Sequence, residues 1–569
     1  WQAEGDLRLT EEAAQAEALH LQLGGVPAEG RVTLRLAPAL HLEVAVTAAR
    51  LDLGAWAPVW RAGPPALKPG GPTVRLDLAA AVARLGEATL RDLRLGLDLA
   101  PGRAVLRAGS ALLPGEGRLS GDGVLTAGPV FEGHLRLVGD DLPALLRLGP
   151  PAGLDEGWLG AWLPARGDIA GALRIEEGVV ALDDLAGTLG GAAVSGSLHL
   201  TPGPRPAVNL RLALDHLVLD TLPEVLPDDP RAWGLDADLR LDIRRAVVGR
   251  VVLDRLVLDG AVAGRGVTLR SVQAGWEGLQ GAASFRLGED GRFTDARLFL
   301  AGPDARPLGA ALGRVFGGTL PPAFWQAPVD LALSGAGPPT ALATTVRLGL
   351  GDARLEGEPV LDLPGRALSG RLSLRHPSAG RLLGLAGLPG LSRFLGEGSL
   401  AASADLRVGD GRITLAGFDL GAGLLRASGR LRIDPGPEPL VSGEIAAASL
   451  PLLLPDGGDT RPVDFTALRG WRAELTLNAA EVVGWSGTLL TGLAGPVTLA
   501  NGVLSAPGLR ASWGAPPGGE DSGGTVEGTV SLDAGADPPR LSLHGRLDGV
   551  VPEGLGWGGV GLRGGRLGG

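Results

Sequence analysis

Cysteine, methionine and tyrosine are all missing from this chain of 569 residues, and Lys68 is its only lysine. Without cysteine there is no disulfide framework and no thiolate nucleophile, and either redox compartment stays open. The missing methionine leads us to expect a fragment, with any leader or anchoring segment outside it. Pro69 follows Lys68, so no phosphate-binding loop can be built around the one lysine. A net charge of −11 leaves no basic excess of the kind that draws proteins onto phosphate backbones, and nucleic acid is not an expected partner. Aromatic residues make up 4% of the chain, too few for the girdles of an outer-membrane barrel. No run of about 18 apolar residues occurs, so no membrane-spanning helix is expected within these residues.

What the chain has is glycine (94) and proline (44), with a hydrophobic fraction of 45%. That composition excludes disorder and favours short strands and turns over long helices. The stretch "LAGTLGGAAVSGSLHL", 185 to 200, shows the unit. Leu185 and Leu189 share one side of a first strand, opposite to Ala186 and Thr188. Val194, Leu198 and Leu200 share one side of a second, opposite to Ser195, Ser197 and His199. Gly190 and Gly191 supply the positive φ of a tight hairpin turn.

A pattern of small residue, glycine and alternating apolar residues recurs at Gly30, Gly123, Gly196, Gly281, Gly357, Gly429 and Gly528. Repeats that cannot bury their own apolar face stack into one body. The expected fold is therefore mainly β: an elongated, curved, repetitive antiparallel sheet, groove or solenoid-like, with short helices between modules. At roughly 13 residues per strand and turn the chain would hold about 40 strands. Many strands read as nearer six residues than the 9 to 11, roughly, that a membrane barrel needs. Short helices are expected from Asp140, Asp304, His376 and Ala448, with Asp or Ser capping them. Proline-rich punctuation at 61–72, 226–234 and 512–524 suggests modules at 1–60, 61–150, 151–226, 227–320, 321–455 (two modules) and 456–569, the last truncated.

Chemistry is scarce. Seven histidines (His20, His41, His134, His199, His216, His376 and His544) show no zinc-helix spacing, and His134 and His199 read as solvated residues on the polar side of strands. The pairs Asp140/Asp141, Asp183/Asp184 and Asp228/Asp229 read as strand ends or turns rather than as metal ligands. There is no Gly-x-Ser-x-Gly elbow. No catalytic residue, no metal and no cofactor is expected, and the chain reads as a non-enzyme.

One oily face per strand needs a cover: the sheet itself, a bilayer, or an apolar ligand. The candidate lining is Leu34, Leu36, Leu135, Leu137, Leu198, Leu200, Leu210, Leu212, Leu298, Leu300, Leu372, Leu374, Leu431, Ile433, Val530 and Leu532. From these residues alone the choice between a packed dry core and an open trough stays open, because inward leucines look the same in either. The order of short apolar helix, alternating strands and "LGG-x-x-x-SG-x-L-x-L" in 185–222, together with "LLPGEGRLSGDGVLTAGPVFEGHLRLVGDDLPALL" in 112–146, resembles the bacterial AsmA family, including its TamB-like members. The resemblance covers most of the chain as a pattern rather than as fixed functional residues. It implies a periplasmic β-groove, anchored to the inner membrane by a segment absent here, that shelters phospholipid or glycolipid tails between inner and outer membrane, with envelope proteins as possible partners. The alternatives are a scaffold for outer-membrane protein assembly and a secreted β-solenoid stalk or adhesin with a dry core.

Overall fold

Period-two alternation and the Gly190-Gly191 pair do form a hairpin. In the computed structural model, strands Val179–Leu189 and Ala192–Thr201 are joined by Gly190 and Gly191 at φ of 60° and 86°, the doubly left-handed turn that matches strand twist. Such strands account for 73% of the structure and helices for 7%, so the protein is mainly β and solenoid-like. The structure describes residues 2–568 except 24–25, 37–38, 55–69, 86–87, 127–129, 149–163, 220–233, 250, 317–321, 386–394, 410, 437, 453–464, 485–486, 514–523, 537–538, 551–555, 558–559 and 562–566. Lys68, Asp228, Asp229 and most of the proline-rich punctuation fall outside the described residues.

The chain divides into two compact units, Trp1–Gly275 with Arg286–Glu289, and Trp276–Phe285 with Asp290–Gly569. The first holds β1 (Gln2–Leu9), β2 (Ala13–Leu23), β3 (Val26–Arg35), β4 (His41–Asp52), β5 (Thr73–Leu85), β6 (Ala88–Ala100), β7 (Arg103–Leu112), β8 (Arg118–Thr126) and β9 (Val130–Gly139). It continues with β10 (Gly167–Glu176), β11 (Val179–Leu189), β12 (Ala192–Thr201), β13 (Ala207–Leu214), β14 (Leu217–Leu219), β15 (Asp236–Ile243), β16 (Ala246–Val248), β17 (Val251–Ala263) and β18 (Gly266–Trp276). Strands β1 to β13 pair in chain order, all antiparallel except β4 with β5. Then β13 runs parallel to β15 and β14 to β16, while β17 is antiparallel to both β15 and β16.

Across the second unit the strands are β19 (Leu279–Leu287), β20 (Phe293–Gly302), β21 (Val329–Gly337), β22 (Leu342–Leu350), β23 (Ala353–Gly357), β24 (Val360–Asp362), β25 (Ala367–His376) and β26 (Leu400–Gly409). They are followed by β27 (Arg412–Ala422), β28 (Leu425–Asp434), β29 (Leu440–Pro451), β30 (Arg472–Gly484), β31 (Gly487–Ala500), β32 (Val503–Trp513), β33 (Thr525–Asp533) and β34 (Arg540–Val550). From β20 onward neighbours are antiparallel except β29 with β30, and β23 and β24 share one place between β22 and β25.

Two expectations need correction. The sheet is not wholly antiparallel: where a long connection follows β4, β13/β14 or β29, the chain returns to the same end and pairs parallel, which no short hairpin could do. These pairings also carry the ladder across the module borders placed at 60/61, 226/227 and 455/456. Most described strands are also longer than six residues, with 13 in β5 and 14 in β31, while β14, β16, β23 and β24 have three to five. Strand length therefore gives no ground against a barrel.

Long strands read as short ones because bulges break their alternation. Register shifts fall next to Ala18, Asp92, Asp184 and Asp295, all at φ near 50°. Three of the four are aspartates, which tolerate the left-handed region better than most side chains. Asp183 and Asp184 thus lie inside β11 at a bulge, not at a strand end as the sequence suggested. The repeat glycines have a related role. Gly196 sits at φ 156°, opposite Leu185, and a Cβ there would strike the Arg211 carbonyl on the next strand. At Gly357 and Gly429 a Cβ would strike the carbonyls of Arg371 and Glu444, and at Gly528 it would lie 2.7 Å from that of His544.

Among the described residues the helices are α1 (Arg306–Phe316), α2 (Ala379–Leu385) and several 3₁₀ turns, including Leu142–Leu148. Asp304 Oδ1 accepts the Arg306 N–H at 3.0 Å, Ser378 Oγ that of Arg381 at 3.3 Å, and Asp141 Oδ1 that of Ala144 at 3.3 Å. Of the stretch expected to turn helical from Ala448, the part from 453 on lies outside the described residues. Its residues through Pro451 finish β29, where parallel pairing with β30 overrides their helical appearance.

Candidate functional site

Residues paired directly across a ladder point to the same face, so the registers trace what each face carries. In the first unit one row runs Leu34, Leu42, Val74, Leu99, Ala104, Leu125, Phe131, Ile175, Val180, Leu200, Val208, Ala237 and Val262, apolar at every step. Leu198 and Leu210 lie two residues along in the same face, Leu212 and Leu241 four, and Leu137 and Ile169 six. In the second unit Leu300, Leu331, Leu348, Leu355, Leu374, Ala402, Leu420, Ala427, Ala447, Ala479 and Leu493 form a comparable row. Leu298 and Leu372 share that face, and Ile433 leads through Val441, Ala473, Leu499 and Leu504 to Leu532. Leu135, Leu431 and Val530 face the same way as their row neighbours. Leu36 lies just past the end of β3.

None of the sixteen candidate lining residues is fully buried: Leu36, Leu200 and Leu298 are exposed and the others are half-buried. Full burial is concentrated near strand ends and in smaller side chains. Ala48, Leu51, Ala80, Ala83 and Leu93 cluster where β4, β5 and β6 meet. Ala305, ahead of α1, packs with Leu279 and Val329, and Ala379 and Leu382 of α2 pack with Leu400 and Ala422. The sequence reading missed these alanines because it weighed leucines. Their signal is alanine placed at the ends of apolar strands beside a helix or a long connection.

The opposite face carries charge in cross-strand pairs. Arg136 donates to both carboxylate oxygens of Asp168 at 2.9 and 2.7 Å, which holds the Asp168 carboxyl below its usual range and raises the arginine. Arg107 reaches Asp77 at 2.6 Å and Asp98 at 3.0 Å, while Arg75 shares Asp98 at 3.1 Å. Arg270 bridges Asp238 and Asp259 at 2.8 and 2.5 Å. His199 faces Asp183 at 2.8 Å and His134 faces Asp122 at 3.4 Å, so both histidines are paired on the polar face rather than merely solvated. Exposed pairs of this kind stabilise little individually, yet they keep this face wet and fix register. His376 differs. It is buried at the start of α2, with Nδ1 2.6 Å from the Ser378 carbonyl and 3.0 Å from its N–H.

Two adjoining cavities of about 1080 and 1020 Å³ lie on the polar face of the first unit, where short side chains such as Ala45, Ala79, Ala170 and Ala186 sit between Arg94, Arg107, Arg136 and Asp122. They do not follow the leucine rows. Their charges are mixed, and of them Arg107 pairs with Asp77, Arg136 with Asp168 and His134 with Asp122. Among the described residues no helix is long and apolar enough to cross a membrane. No protein-family model, curated protein or solved structure matches this chain.

Proposed function

We propose that the chain is a non-enzymatic lipid-sheltering protein of the bacterial envelope, holding phospholipid or glycolipid tails along its apolar face in transit between the inner and outer membrane. The proposal includes a periplasmic location, an anchor outside this chain, and envelope proteins at either end. The observation that supports it is the unbroken apolar row in each unit, most of whose leucines are left half-exposed. Contiguous apolar surface beyond a few hundred Å² on a soluble protein marks an interaction site. Moving an acyl chain through water costs about 0.8 kcal/mol per CH₂, so a tail of about 16 carbons would meet a barrier of roughly 12 kcal/mol. A continuous apolar row replaces that barrier with small steps.

The rival is a solenoid with a dry core, serving as a stalk or adhesin, and the alanine-rich burial near strand ends favours it. Lipid extraction and native mass spectrometry of protein purified from bacterial cells separate the two. The proposal expects co-purifying phospholipid or glycolipid, lost in Leu198→Glu with strand content intact, and retained in Ser197→Glu on the opposite face. Absence of lipid from the native protein, or unfolding of β11 to β13 by Leu198→Glu, would refute it in favour of the dry core.

A further inference from the structure

Side chains on the apolar face stand in ridges that run across the strands. Directly opposed residues approach to about 4.5–5.5 Å and shield one another, whereas residues two apart along a strand are separated by roughly 6.6 Å. A furrow at right angles to the strands therefore lies between two ridges. In the first unit one ridge runs from Phe131 on β9 to Ala237 on β15, and the next, through Leu182, from Gly133 to Leu239. Over β10 to β13 the residues of both ridges are half-buried or exposed, so the furrow there is open. Leu182 leans over Gly171, on the side away from the first ridge, which widens it: a Cβ added to Gly171 would lie 3.0 Å from Leu182 Cδ1. Both ends are filled. At β8 and β9 the second ridge has no side chains, because Gly123 faces Gly133, and the Phe131 ring reaches diagonally into the vacated place, where a Cβ on Gly123 would strike it. At β15 Ala237 is buried with Leu235 and Val262, and Leu239 packs against them. Five strand steps separate β9 from β15, about 24 Å between backbones. Van der Waals clearance of about 4 Å at each end leaves roughly 16 Å. A phospholipid tail spans half of a hydrocarbon core of about 30 Å, or about 15 Å.

We propose that Phe131 sets the length of tail this stretch accepts: one hydrocarbon chain lies across β10 to β13 in the furrow, with its end against the Phe131 ring. The proposal rests on the lipid reading of the apolar face and adds to it an orientation and a stop. The chain crosses the strands because the ridges do. Laid along a strand it would have to climb over opposed leucine pairs such as Leu198 with Leu210. A tail longer than the furrow must either displace the ring or leave its last CH₂ groups in water. Glycine at 123 is what makes the stop possible, since any side chain there would take the place of the ring.

Lysophosphatidylcholines of graded tail length, each with a single chain, are the probes, and affinity is read by calorimetry on the full chain. The furrow covers one side of a tail, so each CH₂ that enters it should strengthen binding about twofold, half the free energy of full burial. In the native protein affinity is expected to rise with tail length and to level off once the furrow is filled. Phe131→Ala moves that plateau to longer tails, so that a tail about four CH₂ groups past it binds about tenfold tighter than it does to the native chain. Val180→Phe places a ring on β11, two strands inside the stop, and moves the plateau to shorter tails. Val180 is half-buried, so this arm stands even if circular dichroism shows that Phe131→Ala fails to fold. A plateau at the same length in all three chains, or no plateau in the native one, overturns the proposal and leaves lipid binding standing. A native chain that binds no lysophospholipid of any length overturns both.

Discussion

Alanine at Gly196 is expected to loosen β12 and β13 far more than the same change at Gly191, five residues away. Both glycines have positive φ, 156° and 86°. At Gly191 nothing lies within 4 Å of an added Cβ, so the cost is that of placing an L-residue in a left-handed turn, about 1–2 kcal/mol. At Gly196 the backbone lies in a region populated essentially by glycine, which costs about 1–3 kcal/mol. The methyl group also meets the Arg211 carbonyl, so β13 must move away. Losing one or two ladder hydrogen bonds adds about 1 kcal/mol each, for a total of roughly 3 kcal/mol or more. A repeat protein opens locally, so a single melting temperature would blur the effect. Hydrogen exchange resolves it. Amides of β12 and β13 should exchange about 100-fold faster in Gly196→Ala and about tenfold faster near the turn in Gly191→Ala. Gly203→Ala, in a connection where the nearest atom to an added Cβ is 3.7 Å away, should change nothing. Equal effects at Gly196 and Gly191 would refute the idea that the repeat glycine exists to admit the neighbouring strand.

Other outcomes follow from burial and charge. Leu279→Ala removes a fully enclosed side chain packed with Ala305 and Val329, and should cost about 2–5 kcal/mol in local exchange protection around β19 to β21. Leu198→Ala, on a half-exposed position, should cost distinctly less by the same measurement. Asp168, Asp236 and Asp434 are each held below the ordinary carboxylate range, the largest cause in each case being a hydrogen bond from arginine: Arg136, Arg205 and Arg412 respectively. Their contribution is present above the unfolded carboxylate value near pH 3.9 and is lost as pH falls through the lower folded values, so exchange protection should be flat from neutral pH to about 5 and decline below about 4. Carboxyl titration by NMR should place all three below exposed reference aspartates; values at or above the reference would refute the pairing.

How legible this was in the sequence depended on the range of the interaction. The hairpin at 185–200 could be read because alternation and a Gly-Gly turn are local, and Asp304 and Ser378 could be read as caps for the same reason. Strand length could not. Asp184 adopts a left-handed conformation inside β11 and shifts the register between Leu182 and Leu185, so one strand presents two phases of alternation. Parallel pairing of β4 with β5 was equally hidden, since nothing in either strand's alternation states whether its neighbour arrives by a hairpin or a crossover. Which face a leucine takes within its strand follows from local period, as for Leu198 and Leu200 of β12. Its partner across the ladder, such as Leu200 for Val180, did not follow from that period.

The two faces also divide the task of specifying the sheet. A one-residue slip in any strand would bring charged residues such as Arg136 or Asp168 onto the apolar row and leucines onto the wet face. Hydrophobic burial therefore fixes which face is which, but a two-residue slip preserves that alternation and is invisible to it. The cross-strand ion pairs and glycines distinguish the two cases. Moving β10 by two residues would separate Arg136 from Asp168, and moving β12 by two would set a side chain where only Gly196 fits against Arg211. A sheet whose leucines stay half-exposed can thus keep a single register without a large core, since weak but position-specific contacts exclude the slips that burial alone permits.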